Sequence, residues 1–167
     1  MRRLWRDRRG TAAVEGAMVL PALASLMFGV YEFSFYFYQQ QLITSGVRDA
    51  ARYLARTVDP TDPTLQGYAE NIAVNGAPTG GSPRVTGWTT STARFSIAVT
   101  DDANSGAATP CGSAPCNGGI VIGGVSYVQS VTVTTSFADP SLGLLGFLGL
   151  TAPTITISHT ERVVGPG

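Results

Sequence analysis

The stretch RRGTAAVEGAMVLPALASLMFGVYEFSFYFY, Arg8–Tyr38, decides how this chain is organised. It carries no charge from Gly16 to Tyr31, and after Glu32 the apolar run resumes from Phe33 to Tyr38. A helix from Gly16 to Tyr38 reaches about 34 Å, enough to cross a hydrocarbon core of ~30 Å. Tyr31, Phe33, Phe35, Tyr36, Phe37 and Tyr38 crowd its far end, as an interfacial aromatic belt does. Pro21 does not defeat the helix, because membrane helices tolerate proline better than soluble ones.

Working outward, the charges are unevenly placed. The chain has 167 residues, 11 basic and 11 acidic side chains, a formal net charge of zero and only 13% charged residues. Arg2, Arg3, Arg6, Arg8 and Arg9 stand against Asp7 alone in the first ten residues, a segment of charge +4. The remainder holds six Arg and ten acids, a charge of −4. A basic head before an apolar run is a targeting or membrane pattern. The positive-inside rule puts the Arg cluster in the cytoplasm and everything after Tyr38 outside. The low charge density argues against a disordered chain, and the net zero offers no support for nucleic-acid binding.

Three readings of this N-terminus compete. One is a cleaved secretory signal with Ala22-Leu23-Ala24 before Ser25, which Glu15 and the apolar run beyond the cut oppose. Another is an uncleaved signal anchor of a periplasmic envelope protein with a binding role. The third is a class III leader: a short basic segment ending in Gly, a cut before the apolar run, and a Glu fifth in the mature chain. Arg8-Arg9-Gly10 followed by Thr11-Ala12-Ala13-Val14-Glu15 fits it, with the cut between Gly10 and Thr11.

Gly10 to Pro21 (GTAAVEGAMVLP), Phe28-Gly29-Val30-Tyr31-Glu32-Phe33 and Ala50-Ala51-Arg52-Tyr53 resemble the TadE-like family, minor pilins or pseudopilins of the tight-adherence (Tad) pilus machinery. The resemblance is strong across residues 8–57 and looser beyond. It implies cleavage by a prepilin peptidase, and partnership with other Tad pilins, the inner-membrane assembly platform and the lipid bilayer. It also implies a single-pass location in the inner membrane with the C-terminal domain outside.

A carboxylate inside a bilayer costs about 2.5–3.5 kcal/mol on insertion scales, so it tends to be paired and functional. Cleavage after Gly10 would create an α-amino group on Thr11, about one helical turn from Glu15. Pairing of Glu15 with the amine of a neighbouring subunit, as the resemblance implies, would neutralise two charges that are each expensive in lipid. The alternative is a Glu15 held unpaired at headgroup level. Glu32 is an assembly candidate too, either touching another membrane helix or reaching water at the outer interface.

The expected domains are a leader (1–10), a membrane helix (11–38), an extramembrane extension (39–58) and an external α+β domain (59–167). The helix runs on because Gln39–Arg56 lacks proline, Gly46 being its one strong breaker. Leu42, Ile43, Val47, Ala50, Ala51 and Leu54 recur at helical spacing. Arg48, Arg52 and Arg56 stack on another face, solvated or set against lipid headgroups or a partner. Asp59-Pro60-Thr61-Asp62-Pro63 breaks it, and Asp62 as N-cap with Pro63 opens a second helix to about Asn75, closed by Gly76. Period-two alternation predicts strands at Arg94–Thr100, Val125–Phe137 and Thr154–Val163, with shorter ones at Arg84–Trp88 and Gly119–Ile122. The sheet is antiparallel, wetted on one face and packed on the helices with the other.

Cys111 and Cys116 are the only cysteines, and outside the cytoplasm an oxidised pair is the natural reading, two exposed thiols the other. Two Cys and one His cannot fill a structural zinc site. Leu142–Leu150 (LGLLGFLGL) is too short to span a membrane and seeks cover from the sheet, the outer leaflet or a partner. Asp101–Gly106 reads as a polar turn or a weak calcium loop lacking its later Glu. His159, the one histidine, lies in strand alternation with no nucleophile elbow or phosphate loop. The sequence therefore predicts neither enzyme activity nor a cofactor.

Overall fold

A computed structural model describes residues 9–103, 119–122, 125–138 and 153–164. Helix α1 (Arg9–Ala55) is a single element of 47 residues, about 70 Å long. It passes through Pro21 unbroken, and the Ser25 hydroxyl donates to the Pro21 carbonyl at 2.8 Å. Helix α2 (Pro63–Asn75) starts as its sequence dictates: Asp62 is extended at φ −63° and ψ 119°, and its carboxylate accepts from the Thr64 N–H at 2.7 Å. It stops where Gly76 turns left-handed at φ 77°, donating its N–H to the Ile72 carbonyl.

Four strands follow: β1 (Arg94–Ala103), β2 (Gly119–Ile122), β3 (Val125–Ala138) and β4 (Thr154–Arg162). β3 is the centre, and all pairings are antiparallel. β1 pairs with residues 127–136 of β3, while β2 takes 125–128 and β4 takes 130–138. Since β1 overlaps both, β2 and β4 share the opposite edge of β3 end to end. Among the described residues the sheet holds four strands but is three wide. On its outer face Thr132–Thr160 and Thr134–Ser158 hydroxyl pairs at 2.8 and 2.9 Å link β3 to β4.

The expected α+β layout is thus observed. The core forms where the end of α1 lies against α2, β3 and β4. Ile43, Val47, Ala50, Ala51 and Leu54 of α1 meet Ala69, Ala73 and Val74 of α2 and Val131, Val133, Phe137 and Ile155 of the sheet. The helix runs on through Gly46, as expected, and Gly46 is a point of close approach to α2. A Cβ there would fall onto the Ala73 carbonyl oxygen and come within 3.1 Å of the Trp88 ring.

Two expectations are corrected. Arg84–Trp88 is not a strand: the Trp88 N–H turns back to the Val85 carbonyl at 3.1 Å, and Gly87 sits at φ 84°. Val85 and Trp88, three positions apart, are instead both turned into the core, at 3% and 0% exposure. Arg84 straps this segment to α1 through Asp49 (2.7 Å) and Ser45 (3.4 Å). Asp101 and Asp102 belong to β1, opposite Gln129 and Val128, and not to a turn, because the longer β3 continues to offer pairing partners there. Cys111, Cys116, Leu142–Leu150 and the rest of the suspected calcium loop lie outside the described residues.

Candidate functional site

Helix α1 changes character along its length. From Val14 to Tyr38 its large apolar side chains point outward: Met18 is 76% exposed, Leu26 66% and Met27 73%. It is the one helix among the described residues that is long and apolar enough to cross a membrane, and its most apolar window has none of its residues buried in the chain. A core helix of a soluble domain would be covered; this one is not.

Gly10 and Thr11 lie exposed in the first turn, and Glu15 is exposed one turn later, on the same face as Thr11. Those three residues come together at one end of the helix. Glu32 does not join them, being about 25 Å further along. It is only 5% exposed and so does not reach water. Glu32 continues a stripe with Tyr36, Gln39 (2% exposed) and Ile43 that leads into the core. The cysteines proposed as a disulfide are outside the described residues.

Two features escaped sequence reasoning. First, Leu23, Leu26, Met27, Val30 and Tyr31 line a shallow apolar groove on the uncovered half of α1. Their i, i+3, i+4, i+7, i+8 spacing was the available signal. Second, Arg52 reaches β4, with Nε 3.5 Å from Glu161 Oε1, and His159 Nε2 donates to the same oxygen at 3.0 Å. Since a carboxylate only accepts, that bond fixes a proton on Nε2. The His159 hydrogen bond, aided by Arg52, holds the Glu161 carboxyl below the usual range. The backbone finishes the clamp: the Val164 N–H donates to the Ala55 carbonyl at 2.8 Å. Nothing in the sequence marks residues 109 apart as neighbours (Arg52 and Glu161).

Two other carboxyls are shifted. Burial pushes Glu70 upward, and it has no ion-pair partner among the described residues. Asp59 is held down by the Thr61 hydroxyl and N–H, at 2.6 and 2.8 Å. Among the described residues no group of three or more His, Cys, Asp or Glu is placed to hold a metal ion.

No curated protein and no solved structure matches the chain. The segment that carries Gly10, Glu15, the uncovered apolar helix and most of the Arg stripe, residues 10–52, matches the family model described as TadE-like protein, which bears out the resemblance over that segment.

Proposed function

We propose that the chain is a minor pilin, or pseudopilin, of a tight-adherence pilus, cut by a prepilin peptidase between Gly10 and Thr11. It sits in the inner membrane through α1, N-terminus in the cytoplasm and domain in the periplasm, and takes part in assembling or priming the pilus. Its role is structural, with no catalytic step. The observation that carries this reading is the family match over residues 10–52, on a helix whose apolar half has no cover among the described residues. The five Arg between residues 2 and 9, ahead of the apolar run, set the orientation.

Glu15 supports an assembly role by its position. Exposed and one turn from Thr11, it is free to meet the amine of a neighbouring subunit. Replacing Glu15 with Ala should leave processing intact and sharply lower pilus yield; a normal yield would remove the pairing role. The reading as a whole is tested by the mass of the mature N-terminus after co-expression with a prepilin peptidase. A chain beginning at Thr11 is expected. A chain still beginning at Met1 would support an uncleaved envelope anchor, and one beginning at Ser25 a secreted domain.

A further inference from the structure

The outer face of the sheet is a grid of hydroxyls. Four rows of the register cross it, from Arg94–Ser136–Thr156 at one end to Thr100–Ser130–Arg162 at the other. Nine of its twelve positions are Ser or Thr, two are Arg, and Ala98 is the last. The positions on β1 and β4 are exposed, and those on the central β3 lie half-buried between them. The reverse side of the same strands carries Val131, Val133 and Ile155 into the core, where α1 packs. The grid therefore turns away from α1, and a neighbour that packs on α1 leaves it open.

The hydroxyls are held in place before any ligand arrives. Thr is stiff at χ1, and the Thr132–Thr160 and Thr134–Ser158 pairs lock the two middle rows. Each pair uses one O–H and leaves the other free to donate, with lone pairs open to accept. Rows stand about 7 Å apart along the strands, and neighbours within a row about 5 Å apart. Arg94 and Arg162 occupy opposite corners, six residues along and two strands across, about 22 Å from each other. Neither makes an ion pair among the described residues. No acid stands among the twelve positions; Asp102 comes one row beyond, in register with Val128.

The composition of the face selects its partner. It has no large apolar side chain, which the core of a protein interface needs. It has no aromatic ring on which single-stranded nucleic acid would stack, and two cations are few for a phosphate backbone. A polymer rich in hydroxyls and carrying widely spaced negative charges matches it. We propose that the face binds an acidic polysaccharide, with Arg94 and Arg162 each taking a sugar carboxylate and the hydroxyl rows between them hydrogen-bonding the ring hydroxyls. Such contacts are individually weak and accumulate along one polymer chain. The inference rests on the outward placement of the domain proposed above and not on cleavage after Gly10.

The test passes the full chain, in micelles of an uncharged detergent, over immobilised alginate, a polymer of uronate sugars. Dextran supplies sugar hydroxyls without charge, and polyglutamate supplies carboxylates without sugar; each should bind about tenfold more weakly than alginate. Arg94→Glu with Arg162→Glu should weaken alginate binding about tenfold or more. Thr134→Val with Ser158→Ala should weaken it about threefold, because a hydroxyl pair is removed and neither partner is left behind. Arg48→Glu, on α1 behind the sheet, should bind as the starting chain does. Absence of alginate binding, equal binding to polyglutamate or to double-stranded DNA, or an equal loss in Arg48→Glu would overturn the proposal. Near-ultraviolet circular dichroism checks the fold of each variant, and Arg94→Gln with Arg162→Gln takes the place of the charge reversal if that misfolds. The N-terminal mass of the same samples reports the pilin reading separately.

Discussion

The two halves of α1 both carry large apolar side chains but place them in opposite environments. Ile43, Val47 and Leu54 are fully buried, while Leu20, Leu26 and Met27 on the same continuous helix are about two-thirds exposed or more. One half is solvated by its own domain; the other finds no cover among the described residues and needs a solvent that these do not supply. A lipid bilayer meets that need without changing the helix, because backbone hydrogen bonds are satisfied internally either way. The difference teaches that helix formation here is a local matter, while burial is divided between two media.

The sharpest way to break the comparison is to make one substitution in both halves. Leu54→Ala should destabilise the domain by about 2–5 kcal/mol, since it empties a fully buried site. Leu26→Ala should change domain stability by less than about 0.5 kcal/mol. Urea unfolding in detergent micelles, followed by near-ultraviolet circular dichroism, measures both. Equal losses would mean that the two halves share one core.

A smaller effect is expected at Gly46. Alanine gains roughly 1 kcal/mol of helix propensity, yet its Cβ would meet the Ala73 carbonyl, a backbone atom that cannot rotate aside. Gly46→Ala should therefore lower stability by about 1–3 kcal/mol, whereas Gly29→Ala, with nothing within 4 Å of its added Cβ, should not. Stabilisation by Gly46→Ala in the same unfolding measurement would show that α2 does not pack there.

The smallest effect is the pH response of the β4 clamp. The Glu161 carboxyl is held below its ordinary value of 4.5, so its contribution is present above that pH and is lost as the pH falls through its folded-state value. Between about pH 5 and about pH 3, the native chain should lose slightly more stability than Glu161→Gln does. Identical pH profiles would mean that the His159 and Arg52 contacts contribute nothing in solution.

Much of this fold was legible because local chemistry agreed with it. Asp62-Pro63 and Gly76 mark α2 to the residue, and period-two alternation locates β1, β3 and β4 with ends off by one to three residues. What escaped notice depended on distant partners. The helix was expected to pass Gly46, but the need for a glycine there shows only once Ala73 and Trp88 lie against it. Arg84 and Asp49, 35 positions apart, meet only once α2 has folded back. Val85 and Trp88, three apart, would face opposite sides of a strand, but Gly87 at positive φ turns the segment so that both enter the core. At the candidate site, Gly10, Thr11 and Glu15 stand out in the sequence by their spacing, and the structure places all three within the first turns of one helix. The burial of Glu32 and the Arg52–Glu161–His159 contact depend on the tertiary arrangement of α1 and so left no sequence signal.

The division of α1 is tested most directly by fluorescence quenching in bilayers whose acyl chains carry bromine. Phe28 lies in the uncovered half and Trp88 in the core; in a chain whose other tryptophan is removed by Trp5→Phe, the emission gained on adding Phe28→Trp reports one medium and the emission of Trp88 the other. We predict that the gained emission is quenched and that of Trp88 is not. Unquenched emission at position 28, or quenching of Trp88, would contradict the account.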